Sequence, residues 1–407
     1  MQIHLAPEYQ DTPRGIEAEA IVRNCVHCGF CTATCPTYQL LGDELDGPRG
    51  RIYLMKQVLE GAPVTAVTQE HLDRCLTCRN CESTCPSGVQ YGRLVEIGRE
   101  AVDTKVARPV PERALRWLLK EGLTSPLFGP AMRLGQLLRP MLPRALKTKV
   151  PSQRPSPARR RPTGTHARKV LLLAGCVQPA MAPNINSATM RVLDAAGIQA
   201  LLARGARCCG AIRTHLGDVE GGLEDMRRNI DAWWPLVDQV EAIVINASGC
   251  GVMVKDYGHA LAQDPRYADK ALRIAEKTRD LSELLPELVP VLRPHLKTGP
   301  RSHLVFHSPC TLQHGQQLRD VVETHMRLMG FHVAVASADA HLCCGSAGTY
   351  SLLQPELAMK LRDRKLAHLE AARPEAIISA NIGCISHLQS GTDLPIRHWI
   401  EVLDEAL

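Results

Sequence analysis

The stretch CVHCGFCTATCP, Cys25 to Pro36, recurs as CLTCRNCESTCP, Cys75 to Pro86. Three thiolates at i, i+3 and i+6 can wrap one face of an iron–sulfur cube. The fourth, set back by an extra residue and followed by proline, ligates the neighbouring cluster. The spacing therefore predicts crossed ligation. Cys25, Cys28, Cys31 and Cys85 hold one [4Fe–4S] cluster, and Cys75, Cys78, Cys81 and Cys35 hold a second. Paired CxxC units also serve structural zinc, and cysteine-dense chains also build disulfide frameworks. Neither needs eight cysteines in two matching runs, each closed by proline.

Around these runs the pattern is helical. Ile16, Ala20 and Ile21 recur at helical spacing after Pro13. Pro48, then Ile52, Leu54, Met55, Val58 and Leu59, mark an amphipathic helix closed by Gly61. Another runs from about Arg93 to Val106, and residues 111–145 add two stretches broken by Pro126, Pro130 and Pro140. The expectation over residues 1–138 is an α-helical ferredoxin domain with a helical extension, distinct from the small β-rich ferredoxins.

Charge is unevenly spread. The chain has 407 residues, 16 cysteines and a net charge of +6. Arg139 to Lys169 holds ten Lys and Arg, six prolines and no acid, so the remainder carries −4. This stretch reads as an extended linker over 139–168, with a basic charge suited to anionic lipid or an acidic partner. Four Trp and four Phe in all leave no aromatic surface for nucleic acid. The start, MQIHLAPEYQDTPRG, lacks the apolar core of a secretory signal, and no apolar run spans a bilayer. A cytoplasmic protein is expected, in a reducing compartment that keeps thiols available to iron.

The second half is duplicated, which decides the rest of the fold. Val170-LLLAG-Cys176 and Leu304-VFHSP-Cys310 are buried-strand runs 134 residues apart, each followed by a helix, Ser187–Ala196 and Gln316–Met329. Cys208-Cys209-Gly210 and Cys343-Cys344-Gly345 come next. Helices around Met226–Val237 and Leu357–Ala371 then lead to strands Glu241-AIVINASG-Cys250 and Glu375-AIISANIG-Cys384, each cysteine expected where its strand ends. Alternating strands and helices predict two α/β lobes with parallel strands, over 169–300 and 301–407. The fold class expected is thus α plus α/β.

Cys176, Cys208, Cys209, Cys250, Cys310, Cys343, Cys344 and Cys384 offer a further iron–sulfur or metal centre. Adjacent cysteines project in different directions, which suits an irregular cluster better than one tetrahedral ion. His307 and His341 beside them read as donors to the ligand shell. His27, Arg74 and Arg79 are placed to tune the first two clusters. Trp233-Trp234 reads as core packing.

The Cys…Cys-Cys-Gly…Cys repeat resembles the cysteine-rich domain of heterodisulfide reductases and of iron–sulfur subunits of flavin dehydrogenases. Over its whole length, on CVHCGFCTATCPTYQLLGDELDGPRGRIYLMKQVLEG, EHLDRCLTCRNCESTCPSG, NIDAWWP, HLCCGSAGTY and IRHWIE, the chain resembles the iron–sulfur subunits of bacterial glycolate oxidases. The resemblance implies FAD-containing partner subunits in a three-subunit complex and a membrane quinone as acceptor. It also implies a peripheral position on the cytoplasmic face of the inner membrane. One departure stands out: where cluster-bearing relatives close each repeat with CxxC, this chain reads Cys250-Gly-Val-Met253 and Cys384-Ile-Ser-His387. His387 is one substitute donor.

No G-x-G-x-x-G follows a strand, and neither a nucleophile elbow nor H-E-x-x-H occurs. No catalytic residue is therefore expected in this chain. Substrate chemistry belongs to a partner's cofactor. Rival readings are a subunit of a lactate or glycerol 3-phosphate dehydrogenase, and a disulfide reductase.

Overall fold

A computed structural model describes residues 1–141, 150, 161–297 and 302–407. Most of the stretch read as a linker lies outside the described residues. Before residue 168 the described chain is helical, with no strand. Helix Pro13–Arg23 starts on proline, and Thr12 Oγ1 accepts from the Gly15 amide (3.0 Å). It packs with helices Pro48–Leu59, Ala66–Asp73 and Tyr91–Lys105 around Val22, Met55, Leu59, Leu72, Leu94 and Val95.

Each cysteine run bends the same way. The residues before and after the second cysteine are left-handed: His27 (φ 55°) and Gly29 (86°) in one, Thr77 (51°) and Arg79 (59°) in the other. Three of these four carry a Cβ, so each such turn costs roughly 1–2 kcal/mol. That strain curls the backbone around the thiols. Short helices Phe30–Ala33 and Asn80–Thr84 then carry Cys31 and Cys81.

Two four-stranded sheets follow. The first comprises β1 (Arg168–Leu172), β2 (Ile198–Leu201), β3 (Ala242–Ile245) and β4 (Thr278–Asp280). The second comprises β5 (His303–His307), β6 (His332–Val335), β7 (Ala376–Ser379) and β8 (Ile396–His398). Their orders are β2-β1-β3-β4 and β6-β5-β7-β8, and every pairing is parallel. In both, the winding reverses beside the first strand, which opens a crevice at the carboxyl ends of the central pair. Helix Pro183–Ala195 of the first lobe packs on Trp399–Ala406 of the second, and Leu285–Leu292 of the first packs on Val321–Leu328 of the second. Equivalent helices thus exchange partners, the signature of a twofold arrangement. Arg191 anchors it with a bidentate pair to Asp404 (2.7 Å).

The local differences from expectation have physical reasons. β2, β4, β6 and β8 add short edge strands that the apolar runs do not reveal. The helix expected at Met226–Val237 starts at Val219, where the Asp218 carboxylate accepts from the Gly221 amide (3.2 Å), and ends at Trp233. The one expected over Gln316–Met329 contracts to Val321–Leu328, because a wide turn closed by Gln316 N–H to Thr311 O (3.1 Å) follows Cys310. Cys250 and Cys384 do not sit at strand ends. They lie in the first turns of helices Ser248–Lys255 and Ile382–Gln389.

Candidate metal centres

The folded chain sorts the first eight cysteines into two groups. One open cavity of about 430 Å³ is lined by Cys25, Cys28, Cys31 and Cys85, and Cys81 lines it too. A second, of about 310 Å³, is lined by Cys35, Cys75, Cys78 and Cys81. Burial, then the neighbouring Cys25, Cys85 and Cys28, pushes the Cys31 thiol up to about 11. Burial drives both the Cys78 and Cys81 thiols up; Cys310, Cys35 and Cys75 add to it at Cys78, and Cys78, Cys75 and Cys35 at Cys81. Thiols crowded in this way are costly unless a cation shares their charge, and two four-thiol cavities fit iron–sulfur clusters.

The second cavity has a built electrostatic wall. Arg51 is 1% exposed; it donates to His71 O (2.7 Å), Thr37 Oγ1 (3.1 Å) and Asp46 Oδ1 (3.3 Å). Asp46, fully buried, also accepts from Arg74 (3.0 Å) and contacts His71 Nδ1 (3.1 Å). Burial pushes the Cys75 thiol up, but Arg51 and Arg99 outweigh it and hold the thiol below its ordinary range. Tyr91 OH (3.6 Å) and Thr77 N–H (3.4 Å) donate to Cys75 Sγ. Sequence reading named Arg74 but missed Arg51. Its signal was an arginine on the apolar stripe with Ile52, Met55 and Val58.

The later cysteines gather at the two crevices. In the second lobe Cys310 Sγ lies 3.8 Å from Cys343 Sγ, while Cys344 and Cys384 group with His307, their donor atoms within 4.8 Å of one another. The adjacent thiols of Cys343 and Cys344 interact with each other, against the expectation that they project in different directions. Gly345 (φ 89°) makes the turn beside them; a Cβ there would lie 2.5 Å from Ala358 O. His387 is directed elsewhere, its Nε2 meeting Ala358 O at 3.1 Å. In the first lobe Cys176, Cys208, Cys209 and Cys250 are linked in the same order. Tyr257 OH braces Cys209 O (3.0 Å). Burial, then Cys208, raises the Asp225 carboxyl to about 6.

The helical domain meets the lobes differently. Toward the first lobe, beside the packing of helix Phe128–Leu137 on Gln178–Met181, ion pairs stand out, such as Arg93–Asp256 (3.4 Å) and Arg213–Glu121 (2.8 Å). Toward the second the contacts are apolar: Leu76 packs with Cys310, Cys343, Leu357 and Leu361, and Cys78 joins the edge. Tyr350 OH donates to Arg74 O (3.2 Å). His314 seals the seam, its Nε2–H donating to His341 O (2.8 Å) and its Nδ1 accepting from Ser83 (3.0 Å). His341 therefore contributes its carbonyl here. The second cavity abuts the second lobe's cysteines, while Cys28 of the first is exposed. His27 lines that first cavity, Arg79 packs on Gly92, and Trp233 is core, stacked on Tyr257.

Comparison with known proteins agrees with this arrangement. Residues 21–89 match the 4Fe-4S dicluster domain, and residues 170–255 and 304–389 each match the cysteine-rich domain. The chain is 53% identical to the glycolate oxidase iron–sulfur subunit of Escherichia coli over all of its own length and 99% of that protein. It belongs to the glycolate oxidase iron–sulfur subunit family.

Other relatives bracket the family. A probable glycolate oxidase iron–sulfur subunit of Bacillus subtilis is 32% identical, over 92% of this chain and 90% of that protein. Lactate utilization protein A of Bacillus velezensis is 28% identical, over 58% of this chain and 99% of its own length. As a glycolate oxidase-type iron–sulfur subunit the chain binds iron–sulfur clusters and transfers electrons. Among the described residues, no helix is long and apolar enough to cross a membrane.

Proposed function

We propose that this chain is the electron-relay subunit of a three-subunit, FAD-dependent glycolate oxidase, carrying electrons from the flavoprotein subunits toward a membrane quinone. The observation that carries the reading is the sorting of the cysteines: Cys85 sits with Cys25, Cys28 and Cys31, and Cys35 with Cys75, Cys78 and Cys81. These are the ligand sets we assign to two [4Fe–4S] clusters. When bound, such clusters accept and release one electron at a time.

The protein's own residues supply the rest. Exposed Cys28, with exposed Val26 and Phe30 beside it, offers a docking edge for the flavoprotein. Buried Arg51 and Arg99 balance thiolate charge at Cys75. The Cys78–Cys310 edge joins the helical domain to the second lobe through the apolar cluster around Leu76. Full-length likeness to a glycolate oxidase subunit favours glycolate over lactate, whose relatives match little more than half of the chain. The absent CxxC endings speak against disulfide reduction.

The test is dye-linked and quinone-linked glycolate oxidation with this chain alone, with its flavoprotein partners alone, and with all together. We expect no turnover from the chain alone and quinone reduction only from the full set. Turnover by the isolated chain would overturn the relay assignment.

A peripheral position at the cytoplasmic face of the inner membrane fits a further feature. Helices Val110–Thr124 and Phe128–Leu137 expose Trp117, Leu118, Leu134 and Leu137, and Met141 follows. They lead into the ten-cation stretch, and apolar insertion with basic charge is the two-part signal for anionic bilayers. Co-sedimentation with vesicles rich in anionic lipid should fall at least about tenfold in Trp117→Glu/Leu137→Glu, since charged groups cost several kcal/mol in the apolar layer. Unchanged binding would reject this face.

A further inference from the structure

The second lobe holds a donor that the first lacks. His307 ends β5, is 2% exposed and sits at the crevice between the central strands. Its tautomer follows from its neighbour. The Ser379 hydroxyl has one proton, which it donates to His307 O (3.0 Å). Ser379 Oγ must therefore accept from His307 Nδ1–H (3.0 Å). That leaves Nε2 as a bare lone pair, buried and without a hydrogen-bond partner among the described residues. A ring nitrogen of His307 lies within 4.8 Å of the sulfurs of Cys344 and Cys384, and Nε2 is the one not engaged by Ser379.

A buried acceptor left unmatched is unfavourable, because it has given up its hydrogen bond to water without a replacement. An imidazole whose far nitrogen is pinned by a hydrogen bond and whose near nitrogen faces two thiols has the form of a metal ligand. A second observation agrees. The ammonium of Lys365, 2% exposed, donates to the carbonyls of Asp339 and Ala340 and faces Cys344, Cys343 and Cys310. A buried cation hydrogen-bonded to neutral carbonyls calls for nearby anions, which metal-bound thiolates supply.

The duplication provides an internal control. The residue 134 positions before His307 is Leu173, buried in the apolar cluster that includes Cys209. The first lobe therefore offers no imidazole at this position. From this asymmetry we infer that His307 Nε2, with Cys344 and Cys384, ligates a transition metal that accepts both imidazole nitrogen and thiolate sulfur, forming a mixed-ligand centre in the second lobe only. The inference rests on reading the lobe cysteines as metal ligands. It replaces the missing fifth thiolate with a histidine from the strand, not with His387.

The experiment uses the full chain, purified without oxygen, as wild type, His307→Leu (the first lobe's residue) and His307→Cys. Metal is counted by mass spectrometry, and nitrogen coupling is read by pulsed EPR, after cobalt substitution where the native metal is silent. The first-domain cluster signals serve as the folding control. The inference expects loss of one centre's metal and of the histidine nitrogen coupling in His307→Leu. It expects metal, without the coupling, regained in His307→Cys. Zinc in place of iron, lost in the same variant, equally upholds the site. Unchanged metal and coupling in His307→Leu would overturn the assignment of His307 and spare the cysteines. A wild-type chain with metal only in its first domain would instead remove the reading of the lobes on which the inference stands.

Discussion

Cys35→Ser loses the cluster whose other ligands are Cys75, Cys78 and Cys81, and keeps the one nearest in sequence. Iron falls by about four atoms per chain, one cluster's worth, and the first-domain EPR signal that survives belongs to the Cys25 group. The expectation follows from the cavity that Cys35 enters. Its neighbours there are Cys75, Cys78 and Cys81, and Thr37 Oγ1, 3.3 Å from Cys35 Sγ, is tied to Asp46 O (2.8 Å). Cys35 thus belongs to the Arg51–Asp46 wall. Because that cavity also adjoins Cys310, electron delivery to quinone should fall at least about a hundredfold, the scale of losing an obligatory relay ligand. Loss confined to the Cys25 group would reject crossed ligation.

Arg51→Leu has the next largest effect. It removes three hydrogen bonds and strips a cation from beside a fully buried carboxylate. Breaking such a pair from one side costs about 3–5 kcal/mol. Arg74 and His71 still contact Asp46, so the lower end is expected. The anaerobic thermal midpoint should drop, and iron should leave the second cavity first. The reduction potential there should shift negative, since one positive charge near Cys75 and Cys35 is gone. Arg51→Leu/Asp46→Asn should recover part of the stability and none of the potential. A potential unmoved in Arg51→Leu would show that this guanidinium does not act on the cluster.

Much of the architecture was legible because cysteine spacing and repeat length are written directly in the chain. The two runs and the 134-residue offset suffice for a helical first domain and paired parallel lobes. The shorter strands were not legible: TRD at β4 and IRH at β8 have too few residues to show alternation. Cys250 and Cys384 were misplaced onto strand ends because only two residues, Asn246-Ala247 and Ala380-Asn381, separate each strand from the helix that carries the cysteine. Contacts that cross domains left no local trace. Leu76 meets Cys310 only in the fold, and the partner that sets the His307 tautomer, Ser379, lies 72 residues away. Arg51 was overlooked because a charged residue inside a helix normally faces water.

The most direct measurement mixes the complete complex with glycolate and freezes it on the millisecond scale for EPR, comparing wild type with Cys78→Ser. Both first-domain clusters should become reduced in the wild type before quinone does. In Cys78→Ser only the Cys25-group signal should appear and persist, with quinone left oxidised. Quinone reduced at the wild-type rate in Cys78→Ser, or no cluster signal in the wild type within the turnover time, would contradict the relay.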